Sequence, residues 1–218
     1  MKIKAGIIGG AGYTGGEMLR LLINHSAVEI AFVHSSSNGG NLVSDVHTDL
    51  FGDTDLRFTA ELSPDIEVLF LCVGHGDAKK FLDANPVAGH IKIIDLSQDF
   101  RLKTNAGSKW IYGLPELNRE KIKQASYVAN PGCFATTIQL GLLPLAAKGL
   151  LKNEVHINAT TGSTGAGQSL SGTSHFSWRT NNIQAYKNLM ENPAEKLKIL
   201  VSRPDGPILL TMKVKSVL

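Results

Sequence analysis

Residues 129–137 read Ala129-Asn130-Pro131-Gly132-Cys133-Phe134-Ala135-Thr136-Thr137, in which a turn tripeptide hands a cysteine to an apolar-periodic segment. From Phe134 to Lys148 the only breakers are Gly141 and Pro144, and Phe134, Ile138, Leu142 and Leu145 recur at helical spacing. That pattern predicts a helix opening beside Cys133. A thiol there lies near unsatisfied N–H groups and the positive end of the helix dipole, a setting that favours thiolate over thiol. Thiolate is the form that attacks carbonyl carbon, so the position suits covalent catalysis on an acyl group. A cysteine packed as a small hydrophobe is the competing reading.

A second constellation stands at the start of the chain. Ile3 to Ile8 predicts an apolar strand, and Gly9-Gly10-Ala11-Gly12-Tyr13-Thr14-Gly15-Gly16 then opens a helix expected from about Glu17 to Asn24. Gly10-x-Gly12-x-x-Gly15 is a dinucleotide fingerprint in its strand–turn–helix setting, and a strand at Val28 to Val33 completes a βαβ unit. Small residues let the backbone approach a pyrophosphate resting on the helix N-terminus. Gly10, Gly12, Tyr13, Thr14 and Gly15 are therefore the expected cofactor-binding residues of this loop.

The end of the second strand speaks to the cofactor. A cofactor without a 2′-phosphate usually meets Asp or Glu there. This chain offers His34-Ser35-Ser36-Ser37-Asn38. Ser36 and Ser37 can donate to a 2′-phosphate and no carboxylate repels it, which favours NADP over NAD. A merely polar loop is the alternative.

These groups need a scaffold. Val68 to Val73, closed by Gly74-His75-Gly76, and Lys92 to Leu96 read as near-continuous apolar strands, with a helix from Asp77 to Asp83 between them. Such runs are the mark of strands buried on both faces, and their alternation with helices predicts an α/β fold, a Rossmann-type doubly wound parallel sheet. His75 could line the cofactor crevice or be solvated. Ser97-Gln98-Asp99-Phe100-Arg101 follows at a strand carboxyl end, where Arg101 could hold a carboxylate or phosphate, or pair with Asp99. Tyr112-Gly113-Leu114-Pro115-Glu116-Leu117 reads as a shaped turn feeding a short helix. After the cysteine segment, a strand at Val155 to Ala159 ends in Thr160-Thr161-Gly162-Ser163-Thr164-Gly165-Ala166-Gly167. Successive N–H groups of that loop could cradle an anion, or the loop could be a flexible connection. His175 is the last histidine near it.

Composition narrows the classes. Hydrophobic residues at 43% and charged residues at 19% describe an ordinary globular chain rather than a disordered one. A net charge of +3 with no Lys/Arg run argues against nucleic acid. No apolar run approaches the roughly 18 to 20 residues of a membrane helix. The start, Met1-Lys2-Ile3-Lys4-Ala5-Gly6, enters a strand without a signal-peptide core. Cys72 and Cys133, far apart, make no disulfide framework, and a cytoplasmic setting is expected. No metal site is expected.

Five motifs now stand in order: Gly9 to Glu17, Asp95 to Arg101, Tyr112 to Leu117, Asn130 to Cys133, and Gly162 to Gly167. As a set, from residue 1 to Lys187, they resemble the N-acetyl-gamma-glutamyl-phosphate reductase family of arginine biosynthesis. The resemblance implies a Rossmann-type cofactor domain, a second α+β catalytic domain with an antiparallel-rich sheet, and NADPH as reductant. It makes Cys133 the nucleophile on an acyl phosphate. Arg101 and the Ser163-Thr164-Gly165 segment become candidate substrate anchors. The domains are expected at 1–130, binding NADP, and 131–218, for catalysis and dimerisation, with a homo-oligomer as the assembly. The acyl group could be acetyl, succinyl or a carrier protein. A related semialdehyde dehydrogenase acting on aspartyl phosphate, and a non-catalytic dinucleotide-binding relative, are the alternatives.

One departure bears on activity. In the family, a paired-histidine stretch followed by Pro-Glu comes shortly after the segment matching Asn181 to Lys187, and one of those histidines serves the cysteine as proton donor and acceptor. Here Lys187-Asn188-Leu189-Met190-Glu191-Asn192-Pro193-Ala194-Glu195-Lys196 follows, with no histidine after His175. The run Gly206 to Lys215 again resembles a strand from deeper in the family's second domain, so that domain is expected to be shortened. A shortened variant, a longer parent chain and a degenerate relative are all open. The joint at Ser202 to Pro207, abrupt for an evolved loop, favours the longer parent. A positioned acid–base group is worth about 10² to 10⁴ in rate, so these residues alone are expected to turn over slowly.

Overall fold

Apolar strands that bury both faces cannot stop at one helix layer, and the first half of the chain builds two. The computed structural model describes residues 1–102, 109–151, 155, 157, 159, 161–168, 175, 177, 197–203 and 206–212. In chain order the elements are β1 (Ile3–Ile8), α1 (Tyr13–Ile23), β2 (Val28–His34), α2 (Val43–Val46), a 3-10 turn (Thr48–Leu50), β3 (Phe58–Thr59) and β4 (Val68–Leu71). They continue with α3 (Asp77–Ala84), β5 (Lys92–Asp95), β6 (Trp110–Tyr112), α4 (Pro115–Gln124) and β7 (Tyr127–Ala129). The strands form one 7-stranded sheet in the order β3-β2-β1-β4-β5-β7-β6. Every pairing in it is parallel.

The two-residue period of a strand decides which side chain meets which helix. Ala5 and Ile7 of β1 pack with Leu19 and Leu22 of α1, Val33 and Phe58. Ile8, one step on, points to the other face and joins Leu69, Leu71, Ala78, Ile93 and Trp110. Gly6 makes room for its neighbour: a Cβ there would lie 2.5 Å from the Phe32 ring. This is the expected doubly wound α/β sheet of Rossmann type.

The boundaries differ in ways that have physical causes. α1 starts at Tyr13 rather than near Glu17, so Gly15 and Gly16 belong to the helix and are both buried. β4 and β5 stop at Leu71 and Asp95, short of Val73 and Leu96. β6 and β7, each of three residues, are too short to show a period in the sequence.

The chain divides into two compact units, Met1–Gly132 and Cys133–Leu218. In the second, α5 (Cys133–Ala147) buries Ile138 and Ala146 against Phe134, Leu142, Leu143, Val155 and Ile157. Leu145, expected on that face, is 42% exposed. A row of fourth residues drifts about 40° per step round the helix, which carries the buried stripe to Ala146. β8 (Leu197–Arg203) and β9 (Gly206–Met212) form an antiparallel hairpin, paired from Leu197↔Met212 to Arg203↔Gly206. Within the expected strand at 155–159, Val155, Ile157 and Ala159 carry no regular structure, and 156 and 158 lie outside the described residues, as do 178–196 and 213–215.

Candidate active site

Parallel strands put all their carboxyl ends on one edge, and the loops there carry the residues singled out in the first unit. After β1, Gly9 takes φ +77, and a Cβ on it would sit 2.5 Å from the Cys72 carbonyl oxygen. A Cβ on Gly10 would meet Val33 at 2.2 Å, and one on Gly15 would meet the Gly9 oxygen at 2.4 Å. Packing alone therefore demands glycine at these three positions. Gly12 differs: the nearest atom to a Cβ there is the Gly9 oxygen at 3.5 Å, ordinary contact. Among the described residues nothing crowds a Cβ at Gly12, which leaves the loop open to a close-approaching group such as a pyrophosphate.

Gly12 is also the N-cap of α1, with no side-chain cap and no acidic residue in the first turn. An anion would meet backbone N–H groups and the positive dipole end there without a competing carboxylate. Tyr13 and Thr14 are exposed at the same turn. The site fits a dinucleotide.

β1 and β2 end side by side, with Ile8 opposite His34, and Gly10 N–H donates to the His34 oxygen at 3.0 Å. That pairing brings the glycine loop beside the serine cluster. Asn38 Nδ2 donates to Ser35 Oγ at 3.1 Å and to Ser37 Oγ at 3.0 Å, while Ser36 and Ser37 are exposed. His34 packs against the Phe81 ring, and burial holds its imidazole below the usual histidine value.

The loops after β4, β5 and β7 are laced together. Asp95 is fully buried and accepts from Ser97 N–H at 3.0 Å and Ser97 Oγ at 2.8 Å; burial nonetheless pushes its carboxyl up. Asp99, offered above as an ion-pair partner for Arg101, instead caps α3, accepting from Gly76 N–H at 2.7 Å and Lys79 N–H at 3.1 Å. His75 Nδ1 accepts from Gln98 N–H at 3.2 Å. Phe100 stacks on Trp110 at 4.0 Å between centroids. Arg101 donates from Nε to the Asn130 oxygen at 2.8 Å and from Nη2 to the Leu96 oxygen at 2.7 Å. It latches the β5 loop to the residues just before Cys133. The Tyr112–Leu117 motif closes this edge: a Cβ on Gly113 would lie 2.7 Å from Val128, and Pro115 opens α4 at its first turn.

In the second unit Cys133 is exposed and is the first residue of α5. Thr137 Oγ1, one turn on, donates to the Cys133 oxygen at 3.0 Å. Cys133 lines a largely apolar cavity of about 580 Å³ together with Thr137, Gly141, Ile157 and Thr161. Ser163, Thr164 and Gly165 form a 3-10 turn, Ser163–Ala166, in which Gly165 N–H donates to the Gly162 oxygen at 3.2 Å and Gly167 N–H to the Thr164 oxygen at 3.0 Å. Those two donors serve the turn itself. A Cβ on Gly165 would sit 3.1 Å from Thr161 Oγ1, so the turn lies close to the cavity wall. His175 is exposed and its Nδ1 accepts from Ser177 N–H at 3.3 Å. Asp95 and Ser97 belong to a motif recognised in the sequence, but their buried pairing is not legible there, and the buried His47 beneath the glycine loop belongs to no recognisable motif.

Known proteins bear on this arrangement. The family described as semialdehyde dehydrogenase, NAD binding domain, matches residues 4–125, and the semialdehyde dehydrogenase dimerisation domain matches residues 133–190. An N-acetyl-gamma-glutamyl-phosphate reductase of Bacteroides thetaiotaomicron is 61% identical over 186 residues, which is 85% of this chain and 58% of that protein. One of Flavobacterium johnsoniae is 58% identical over 188 residues, again 85% of this chain and 58% of the relative. The chain thus spans less than two thirds of the length of these relatives. Among solved structures, aspartate semialdehyde dehydrogenase with NADP from Candida albicans aligns over 99% of this chain and 66% of its own, with a TM-score of 0.63 and 19% identity. The match over residues 4–125, more than half of the chain, shows the relationship: the chain belongs to the semialdehyde dehydrogenase family.

Proposed function

We propose that the protein reduces an N-acyl-glutamyl phosphate to the N-acyl-glutamate semialdehyde with NADPH, releasing phosphate; relatives named N-acetyl-gamma-glutamyl-phosphate reductase support this reading. The observation that carries this is Cys133, an exposed thiol at the first residue of a helix and on the wall of an apolar cavity. Its thiolate attacks the acyl carbon of the substrate. A C–S bond forms, the bond from carbon to the phosphate oxygen breaks, and inorganic phosphate leaves. When bound, NADPH supplies the hydride that brings the thioester to the aldehyde level. The C–S bond then breaks, the aldehyde departs and the Cys133 thiolate returns.

The remaining residues take supporting roles. Gly10, Gly12, Tyr13, Thr14 and Gly15 hold the pyrophosphate, and Ser36 and Ser37 donate to the 2′-phosphate. Ser163, Thr164 and Gly165 are assigned to the substrate's anionic end because their turn adjoins Thr161 in the wall that Cys133 shares. Arg101 is assigned to substrate binding at the β5 loop, whose shape it holds through Leu96 and Asn130. Residues 1–130 serve the cofactor and 131–218 catalysis and dimerisation, in a cytoplasmic homo-oligomer. The match to a dimerisation domain supports the assembly. Among the described residues no helix is long and apolar enough to cross a membrane.

The test is NADPH oxidation with N-acetyl-glutamyl phosphate, followed together with phosphate release. One phosphate per NADPH is expected, with weaker binding of NADH. A preference for aspartyl phosphate, or equal use of NADH, would overturn the assignment.

A further inference from the structure

We infer that His47 is a positioning residue of the dinucleotide site, acting through the carbonyl group of Gly10; this rests on the cofactor reading above. His47 is 6% exposed and lies on the connection between α2 and the following 3-10 turn. Its Nε2 is 2.7 Å from the Gly10 oxygen. A carbonyl only accepts, so Nε2 carries the proton and donates. Gly10 is then held on both sides, its N–H by the His34 oxygen and its carbonyl by the imidazole.

That grip sets more than one bond. Across a planar trans peptide, fixing the Gly10 carbonyl fixes the plane it shares with Ala11, one residue before the N-cap of α1. The same ring lies where a side chain on Gly16 would be, 2.6 Å from a Cβ there, so it also seats the first turn of the helix. The ring itself is fixed from outside. Arg20 of α1 donates to both carboxylate oxygens of Asp49 at 2.6 and 2.7 Å, which holds the 3-10 turn, and Phe58 lies 6.4 Å from the imidazole. A histidine touching three segments under a phosphate-binding loop is placed to define that loop's shape without touching the ligand.

The experiment compares binding of two ligands to the protein and its variants, by calorimetry and without turnover. NADPH spans the pyrophosphate subsite, whereas adenosine 2′-monophosphate lacks the pyrophosphate. His47→Leu should weaken NADPH about tenfold or more, the worth of a lost buried hydrogen bond, and leave adenosine 2′-monophosphate unchanged. His47→Gln, whose amide can donate to the same oxygen, should recover most of the loss. If the leucine variant does not fold, His47→Asn, polar but too short to reach Gly10, takes its place and should show the same selective weakening. Wild-type NADPH affinity in the leucine or asparagine variant would overturn the proposal alone, and so would equal weakening of both ligands. Failure of the unsubstituted protein to bind NADPH would instead overturn the cofactor reading on which it rests.

Discussion

Cys72 and Cys133 are the same side chain in opposite surroundings. Cys72 follows β4, is 5% exposed, and offers its carbonyl oxygen to the space under Gly9. Burial first, and the nearby Asp95 carboxylate second, push its thiol up to about 12. Cys133 is exposed, opens a helix and lines a cavity. The glycines divide in the same way. Gly9, Gly10 and Gly15 are dictated by protein atoms within 2.5 Å of where a Cβ would be, while Gly12 is not. A residue whose type the packing explains is spoken for. One whose type the packing leaves unexplained is where a ligand or a reaction has to be sought.

The largest difference is expected between the two cysteines. Cys133→Ser should lower turnover by more than about 10³-fold, because a hydroxyl at that position has no comparable nucleophilic form at neutral pH. Cys72→Ala should leave turnover near the parent value and show itself only as a modest loss of stability from the small cavity, about 1 kcal/mol. Loss of turnover in the Cys72 variant, with the fold intact by circular dichroism, would erase the contrast.

Glycine substitutions sharpen it next. Gly12→Ala should weaken NADPH about tenfold or more while changing stability by no more than about 1 kcal/mol, since only the cap preference is touched. Gly15→Ala forces a methyl into backbone at 2.4 Å and should cost about 1 to 3 kcal/mol or more of stability before any ligand is added. Thermal melts beside NADPH titrations separate the two. A Gly12→Ala protein that binds NADPH normally would remove the ligand from the explanation of that glycine.

The smallest effect belongs to His34. Burial lowers its folded value below the ordinary 6.5, so the unfolded chain takes up the proton first as pH falls. Stability from this group is complete above the unfolded value and is lost as pH drops below about 6.5 towards the folded value. Urea midpoints at pH 7.5 and 5.5 should differ less in His34→Gln than in the parent. An unchanged difference would assign the pH dependence elsewhere.

The sequence showed what repeats and what breaks. Continuous apolar runs at Ile3 to Ile8, Val68 to Val73 and Lys92 to Leu96 announce a sheet buried on both faces, and Gly10-x-Gly12-x-x-Gly15 announces its loop. Cys133 was found at a helix start because turn formers and an apolar period meet there. What stayed hidden depends on contacts between distant residues. His47 reaches across 37 positions to Gly10, and Asp99 reaches 23 positions back to cap α3. No local pattern encodes either, and Asp99 looked like a partner for Arg101 only because they are neighbours in sequence. β6 and β7 were hidden for a different reason: three residues do not make a period.

Whether Cys133 carries the acyl group can be tested with cofactor left out. The protein is mixed with N-acetyl-glutamyl phosphate, quenched in acid, and its intact mass and peptide masses are measured. One added acyl group is expected, on the peptide containing Cys133, removed by hydroxylamine as a thioester should be and missing in Cys133→Ser. An acyl group on Cys72, or NADPH-dependent turnover without any adduct on Cys133, would contradict it.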